Sequence, residues 1–389
     1  MNISLVGTTR VVKAVIWIAM SMFLLFSALL MKTNIFLHPF SSISTPIAGT
    51  GSFTEDVGTA LTLRDFLNHP DGFHLSMAPA FFGFYSYLGA LIAMEEDLDG
   101  ILPTHRNTNS YDSTKFSTAT ISPTHRMKSV VGSSAGAMVA VLIAAGISPR
   151  LAANFVTSLT LQDFADPPGL FAVFRGIKFE LLMKEFMKNH TSHDLLLLER
   201  AILPVAVTTF DLITWRERIF THGCMAQAAR ASATFPGLFQ PVFNDKSILI
   251  DGGLTDWLGL NGLRYTTSIR AENANHHSRI VNIQIGTRRN GSLLDWLLQT
   301  HIHQFLRHYQ QQSVSFLTII ITNSPPCGPW AMSNGILAVE ATRQALAAAW
   351  DHPLIPTATE TYNGKHQHYY KIYVDASLSS SVQSKENEL

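Results

Sequence analysis

Ser134 stands at the centre of Gly132-Ser133-Ser134-Ala135-Gly136, and the small residues around it suit a nucleophile. A serine at the tip of a sharp strand-to-helix turn is held in strained backbone space with its hydroxyl exposed. Strand and helix approach closely there, so the residues two before and two after must be nearly side-chain-free, as Gly132 and Gly136 are. The following helix aims N–H groups and its positive dipole end at the site. A second place of interest is Asp251-Gly252-Gly253. On its own, Asp-Gly is a common tight turn. Here it ends an apolar run, Ser247-Ile248-Leu249-Ile250.

The elements that must position these groups are legible around them. A β-branched run ends at Val131, and Gly136–Ala145 is an Ala-rich helix closed by Gly146. Ser148-Pro149 supplies an N-cap and a first-turn proline for the next helix. Phe73–Met77 is the expected first strand, Met77–Gly83 a loop, and Phe84–Glu96 a helix. Ile177–Lys188 is amphipathic, with Phe179, Leu182, Met183 and Phe186 on one face that either packs in the core or faces lipid as a lid. Leu203–Thr209, Glu217–Thr221, Ser247–Ile250, Arg279–Ile285 and Ser315–Thr322 are expected strands, and Gly335–Trp350 a helix. Strands alternating with helices imply an α/β fold with a mainly parallel sheet covered on both faces.

Composition narrows the classes. The chain has 389 residues, a formal net charge of zero and a charged share of 14%, well below the roughly 25% of soluble proteins. Bulk charge therefore implies no basic face for nucleic acid. Cys224 and Cys327 form no disulfide framework or metal spacing and are expected to be buried small apolar residues. Ala14–Met31 is uncharged and mostly apolar, flanked by Arg10, Lys13 and Lys32. As a helix it spans roughly 27 Å, close to the hydrocarbon thickness, and it exceeds a signal-peptide core. Residues 1–32 are thus expected to be a signal anchor with Arg10 and Lys13 on the cytoplasmic side, the alternative being a cleaved signal and secretion. Residues 33–70 are expected to be a linker, 71–376 the globular domain with a polar insertion at 101–127, and 377–389 a flexible tail. The insertion carries Pro-Thr-His-Arg twice, and His105 and His125 are expected to be solvated rather than metal ligands.

Three segments together resemble the patatin-like phospholipases: Gly132–Gly136 with the Ala137-Met138-Val139-Ala140 that follows, Asp251-Gly252-Gly253, and between them Ala231-Ser232-Ala233-Thr234-Phe235-Pro236-Gly237-Leu238-Phe239-Gln240-Pro241. The resemblance covers roughly Gly72 to Gly259. It implies a three-layer α/β sandwich and lipid acyl hydrolysis by a Ser–Asp dyad, with Ser134 as nucleophile and Asp251 as base. It also implies a lipid substrate at a membrane or lipid-droplet surface, and no metal or cofactor. The family's Gly-rich loop, whose backbone N–H groups form the oxyanion hole, corresponds to Met77–Gly83, which keeps one glycine. Pro79 has no N–H and Phe82 replaces the cationic residue, leaving Ala80, Phe81, Phe82 and Gly83 as backbone donors.

Two other readings compete. The altered loop suits a catalytically impaired protein that binds lipid or membrane. A Ser-Asp-His α/β-hydrolase esterase needs a late histidine, and His276, His277, His301, His303, His308, His352, His366 and His368 all qualify by order. The N-terminal expectation has a direct check: after alkaline carbonate extraction the full chain should stay in the membrane pellet. A soluble chain lacking its first thirty or so residues would replace the anchor with secretion.

Overall fold

The apolar runs expected to be strands form the middle of one sheet. The computed structural model describes residues 61–377 except 99, 103–125, 165, 169–171, 245, 267–276, 287–292, 308–312, 330 and 363–364. The chain begins with helix α1 (Leu63–Leu67), strand β1 (Phe73–Met77), helix α2 (Phe84–Asp97) and strand β2 (Met127–Ser133). Four helices follow, α3 (Ala135–Ala144), α4 (Pro149–Ser158), α5 (Leu161–Phe164) and α6 (Ile177–His190). Then come strands β3 (Val205–Asp211) and β4 (Arg216–Phe220), helix α7 (Met225–Ser232), and strands β5 (Val242–Asn244), β6 (Ser247–Asp251) and β7 (Ser278–Ile285). Helix α8 (Leu293–Leu306), strand β8 (Val314–Thr322), helix α9 (Gly335–Ala347) and strands β9 (Pro356–Tyr362) and β10 (Lys365–Asp375) complete the described elements.

The strand order is β5-β6-β3-β2-β1-β7-β8-β10-β9, with β4 also paired to β3. From β3 to β10 the pairings are parallel, and the antiparallel ones lie toward the two ends. A parallel sheet needs cover on both faces. Val130, Val205, Val207, Leu75 and Met77 pack into one apolar cluster with residues of α2, α3, α4, α7 and α9. Their neighbours Val131, Ala206 and Ile280 pack into a second cluster with Ile302, Phe305 and Leu306 of α8. Alternation along each strand thus divides the core between two helical layers. The helix boundaries follow local chemistry: the Ser148 side chain accepts the Leu151 N–H, with Pro149 at the first position of α4.

Some expectations need correction. The last part of the 33–70 segment is not a linker. Thr62 and Asp65 close a capping box on α1, whose Leu63, Phe66 and Leu67 are buried, because Leu61 accepts the Leu354 N–H and draws the segment onto the core. At the ends of the 101–127 insertion, Ile101, Leu102 and Met127 are buried, and Met127 opens β2. Cys224 and Cys327 are free but only partly buried. Residues 1–60, the insertion's His105 and His125, and the tail from 378 lie outside the described residues. Among the described residues no helix is long and apolar enough to cross a membrane.

Candidate active site

One pairing pattern brings the two separated groups together. β2 runs parallel to β3 and ends with Ser133 opposite Thr208. β6 runs antiparallel to β3 and ends with Asp251 opposite Thr209. Because β4 pairs with Val207–Asp211, it occupies the other edge of β3. β2 and β6 therefore share one edge and meet C-terminus to C-terminus. The residue after β2 is Ser134, and its Oγ donates to Asp251 Oδ2 at 2.7 Å.

The turn carries the strain expected of it. Ser134 sits at φ 53°, ψ −121°, a rare conformation for a residue with a side chain. A Cβ on Gly132 would lie 2.4 Å from the Gly136 carbonyl carbon, and one on Gly136 would lie 2.3 Å from the Met77 oxygen. Both are shorter than any packing contact, so strand and helix leave room only for glycine. The Ser134 N–H donates to Ser232 Oγ at 2.8 Å, and the Ser232 hydroxyl donates to the Thr208 carbonyl at 2.6 Å. The Asp251 N–H donates to the Thr234 carbonyl at 3.1 Å. The 231–241 segment thus holds both members of the pair. Its motif pointed to the region, but the partner of the Ser232 hydroxyl depends on α7 packing beside β3, which no local pattern reveals.

Asp251 is 1% exposed and Ser134 6%. Burial disfavours the carboxylate and pushes Asp251 up to about 7, against the opposing hydrogen bonds from Ser134 and from the Gly253 N–H. Above that pH the aspartate accepts the serine hydroxyl and is a far stronger base than an ordinary carboxylate. Gly252 and Gly253 fit for steric reasons, since a Cβ would lie 2.1 Å from Thr208 O and 2.8 Å from Pro79 Cβ respectively.

The proposed donor loop lies against this pair and is partly committed. The Tyr87 hydroxyl donates to Ala78 O at 2.7 Å, fixing the start of the loop. Phe81 has φ 48°, a left-handed conformation that glycine adopts at less cost. The Gly83 N–H closes a turn onto Ala80 O at 2.6 Å, so it is not a free donor. Among the described residues, the N–H groups of Ala80, Phe81 and Phe82 have no hydrogen-bond partner.

Ser134 opens into a pocket lined by Phe81, Phe82, Phe84, Phe164, Phe179, Phe235 and Phe239, with Met138 and Leu238. Phe179 comes from the apolar stripe of α6 and Phe235 and Phe239 from the 231–241 segment, so this wall assembles from distant pieces. No histidine lines the pocket among the described residues. His277 bonds Ser315 Oγ at the start of β7, and His368 pairs in register with Ser315, both at the end of the sheet opposite Ser134. His301 and His303 lie on α8, in the opposite helical layer, and His352 follows α9. His276, His308 and the His366 side chain lie outside the described residues. Among the described residues no cluster of side chains could hold a metal ion.

Residues 118–263 match the family model of the patatin-like phospholipases. The NTE family proteins MT2641 of Mycobacterium tuberculosis and Mb2594 of Mycobacterium bovis are each 32% identical over 135 residues, which is 33% of this chain and 22% of theirs. The chain thus spans about a fifth of the length of these relatives. The crystal structure of VipD from Legionella pneumophila aligns over 73% of this chain and 67% of its own, at 13% identity and a TM-score of 0.44.

The buried carboxyl has a consequence for stability. Asp251 in the folded chain holds its proton up to about pH 7, whereas in the unfolded chain it releases it near 3.9. Between these values the folded state binds more protons, so this group lowers stability as pH rises from about 4 to 7 and costs most above 7, on the order of 2–4 kcal/mol. Asn keeps the shape, accepts from Gly253 and donates to Ser134 Oγ. Asp251→Asn should therefore melt about 5 °C higher than the parent at pH 8, with the gain vanishing toward pH 4. Equal melting temperatures at pH 8 would contradict the buried, costly carboxylate.

Proposed function

On the premise that the chain belongs to the patatin-like phospholipase family, whose model its residues 118–263 match, we propose that it is a serine lipid acyl hydrolase working through a Ser134–Asp251 dyad. The observation that carries this reading is the 2.7 Å hydrogen bond from Ser134 Oγ to a fully buried Asp251 beneath a phenylalanine-lined pocket.

In this reading an acyl chain enters the apolar pocket and places its ester carbonyl over Ser134. Oγ attacks the carbonyl carbon as its proton passes to Asp251 Oδ2. The N–H groups of Phe81 and Phe82, held by the loop, stabilise the oxyanion. Asp251 then returns the proton to the departing alcohol oxygen, leaving Ser134 acylated. A water attacks the acyl-enzyme and gives a proton to Asp251, which passes it to the departing Ser134 Oγ as the fatty acid is released. Each extra CH₂ buried in the pocket contributes up to ~0.8 kcal/mol. The rate over short esters should then climb with chain length. The same reading has residues 1–32 hold the 71–376 domain at a membrane, where the lipid substrate lies.

The dyad's base must be ionised to accept the serine proton. With Asp251 at about 7, kcat/KM should fall about tenfold per pH unit below 7 and level off above it. A histidine base gives a similar limb, so the substitutions decide the matter. Asp251→Asn and Ser134→Ala should each lose activity on the order of 10³-fold or more. Alanine at each of the eight late histidines in turn should leave most turnover. Loss of turnover in one folded histidine variant would replace the dyad with a triad.

A further inference from the structure

Helix α6 carries one face into the core and another that is left uncovered. Phe179, Met183 and Met187 are buried. On the opposite side, Ile177 is 45% exposed and Leu181 59% exposed. At about 100° per residue, Lys184, Ile177, Lys188 and Leu181 fall within an arc of about 60°. Lys184 and Lys188 are exposed, and neither has a hydrogen bond or ion pair among the described residues. Glu185 is the acid at the margin of this face, while Glu180 is turned inward to Arg230 at 3.1 Å. Single exposed aliphatics are ordinary on a protein surface. Two of them alternating with unpaired cations on one arc have the composition of a helix that lies in a lipid interface, its lysine stems spread over the apolar side chains and their ammonium groups reaching headgroups. The position adds a separate argument. Gly176, just before the helix, and Phe179 on its inner face both line the Ser134 pocket, so α6 is part of the pocket's wall and carries the uncovered face on its outer side.

We propose that the outer face of α6, where Ile177 and Leu181 alternate with Lys184 and Lys188, docks the protein on an anionic phospholipid surface and presents the pocket to it. This rests on the lipid hydrolase reading for its purpose, but not for its test. The positive charge selects a negative surface, since each lysine near an anionic bilayer adds attraction that falls away within a Debye length. The two aliphatics supply insertion that charge alone does not give.

The test uses the full chain with Cys224→Ser and Cys327→Ser, so that an environment-sensitive NBD fluorophore can be placed at Leu181→Cys alone. Emission is followed as vesicles of phosphatidylcholine, with or without phosphatidylserine, are added, and hydrolysis of a soluble butyrate ester is measured on the same samples. The expected result is a blue shift with the phosphatidylserine vesicles and little with phosphatidylcholine alone. Adding Lys184→Glu and Lys188→Glu should raise the lipid needed for half the shift about tenfold or more and leave soluble-ester hydrolysis unchanged. An equal shift on both vesicle types, or no shift on either, would overturn the proposal. So would a blue shift that grows with protein concentration in the absence of lipid, which would assign the face to a second copy of the chain. A normal shift without ester hydrolysis would support the docking face and count against the hydrolase reading instead.

Discussion

The arrangement turns on the shared edge of β3. A strand has only two hydrogen-bonding edges, and β4 takes one of them along Val207–Asp211. β2 and β6 divide the other, from opposite directions, with register changing hands between Thr208 and Thr209. This brings Ser134 and Asp251, 117 residues apart in the chain, to 2.7 Å. The close fit of Gly132, Gly136 and Gly252 follows from the same junction, where two strand ends, a helix start and the Met77–Gly83 loop converge. The 231–241 segment ties it down from above, through Ser232 to the Ser134 N–H and through Thr234 to the Asp251 N–H.

Rigidity at that junction makes a buried carboxylate useful. An ordinary aspartate is a weak base for a serine hydroxyl, and in the proposed dyad burial offsets this by raising the Asp251 proton affinity to about 7. The same burial is unfavourable for folding whenever the group is ionised, so reactivity and stability oppose each other at this one side chain. The fold offsets that cost with the two large apolar clusters on either side of the sheet.

Much of the centre was legible in the sequence because its signals are local. Phe73–Met77 is β1 as expected, α2 starts at Phe84, and Ser148-Pro149 opens α4 where the cap rule places it. The strand into Asp251 was plain from Ser247–Ile250. What stayed hidden depends on distant partners. Helix α7 holds four alanines and the Ser232 hydroxyl, and only its packing beside β3 gives that hydroxyl a role. β10 mixes histidine, tyrosine and lysine, and it is a strand because β8 pairs with it along its length. The stripe on α6 was visible, and it packs inward at Phe179 and Met183, with Phe179 also lining the pocket. At the donor loop, residue types suggested four N–H groups, and only the folded turn shows that Gly83 is already bonded to Ala80.

Activation of a serine by a buried aspartate is measured most directly by the pH dependence of fluorophosphonate labelling, with the adduct located by peptide mass spectrometry. The adduct should form on Ser134 and not on Ser133. Its rate should rise about tenfold per unit up to about pH 7 and then level, following the ionisation of Asp251. A folded chain that takes no adduct at any pH, or takes it on another serine, would contradict activation of Ser134 by Asp251.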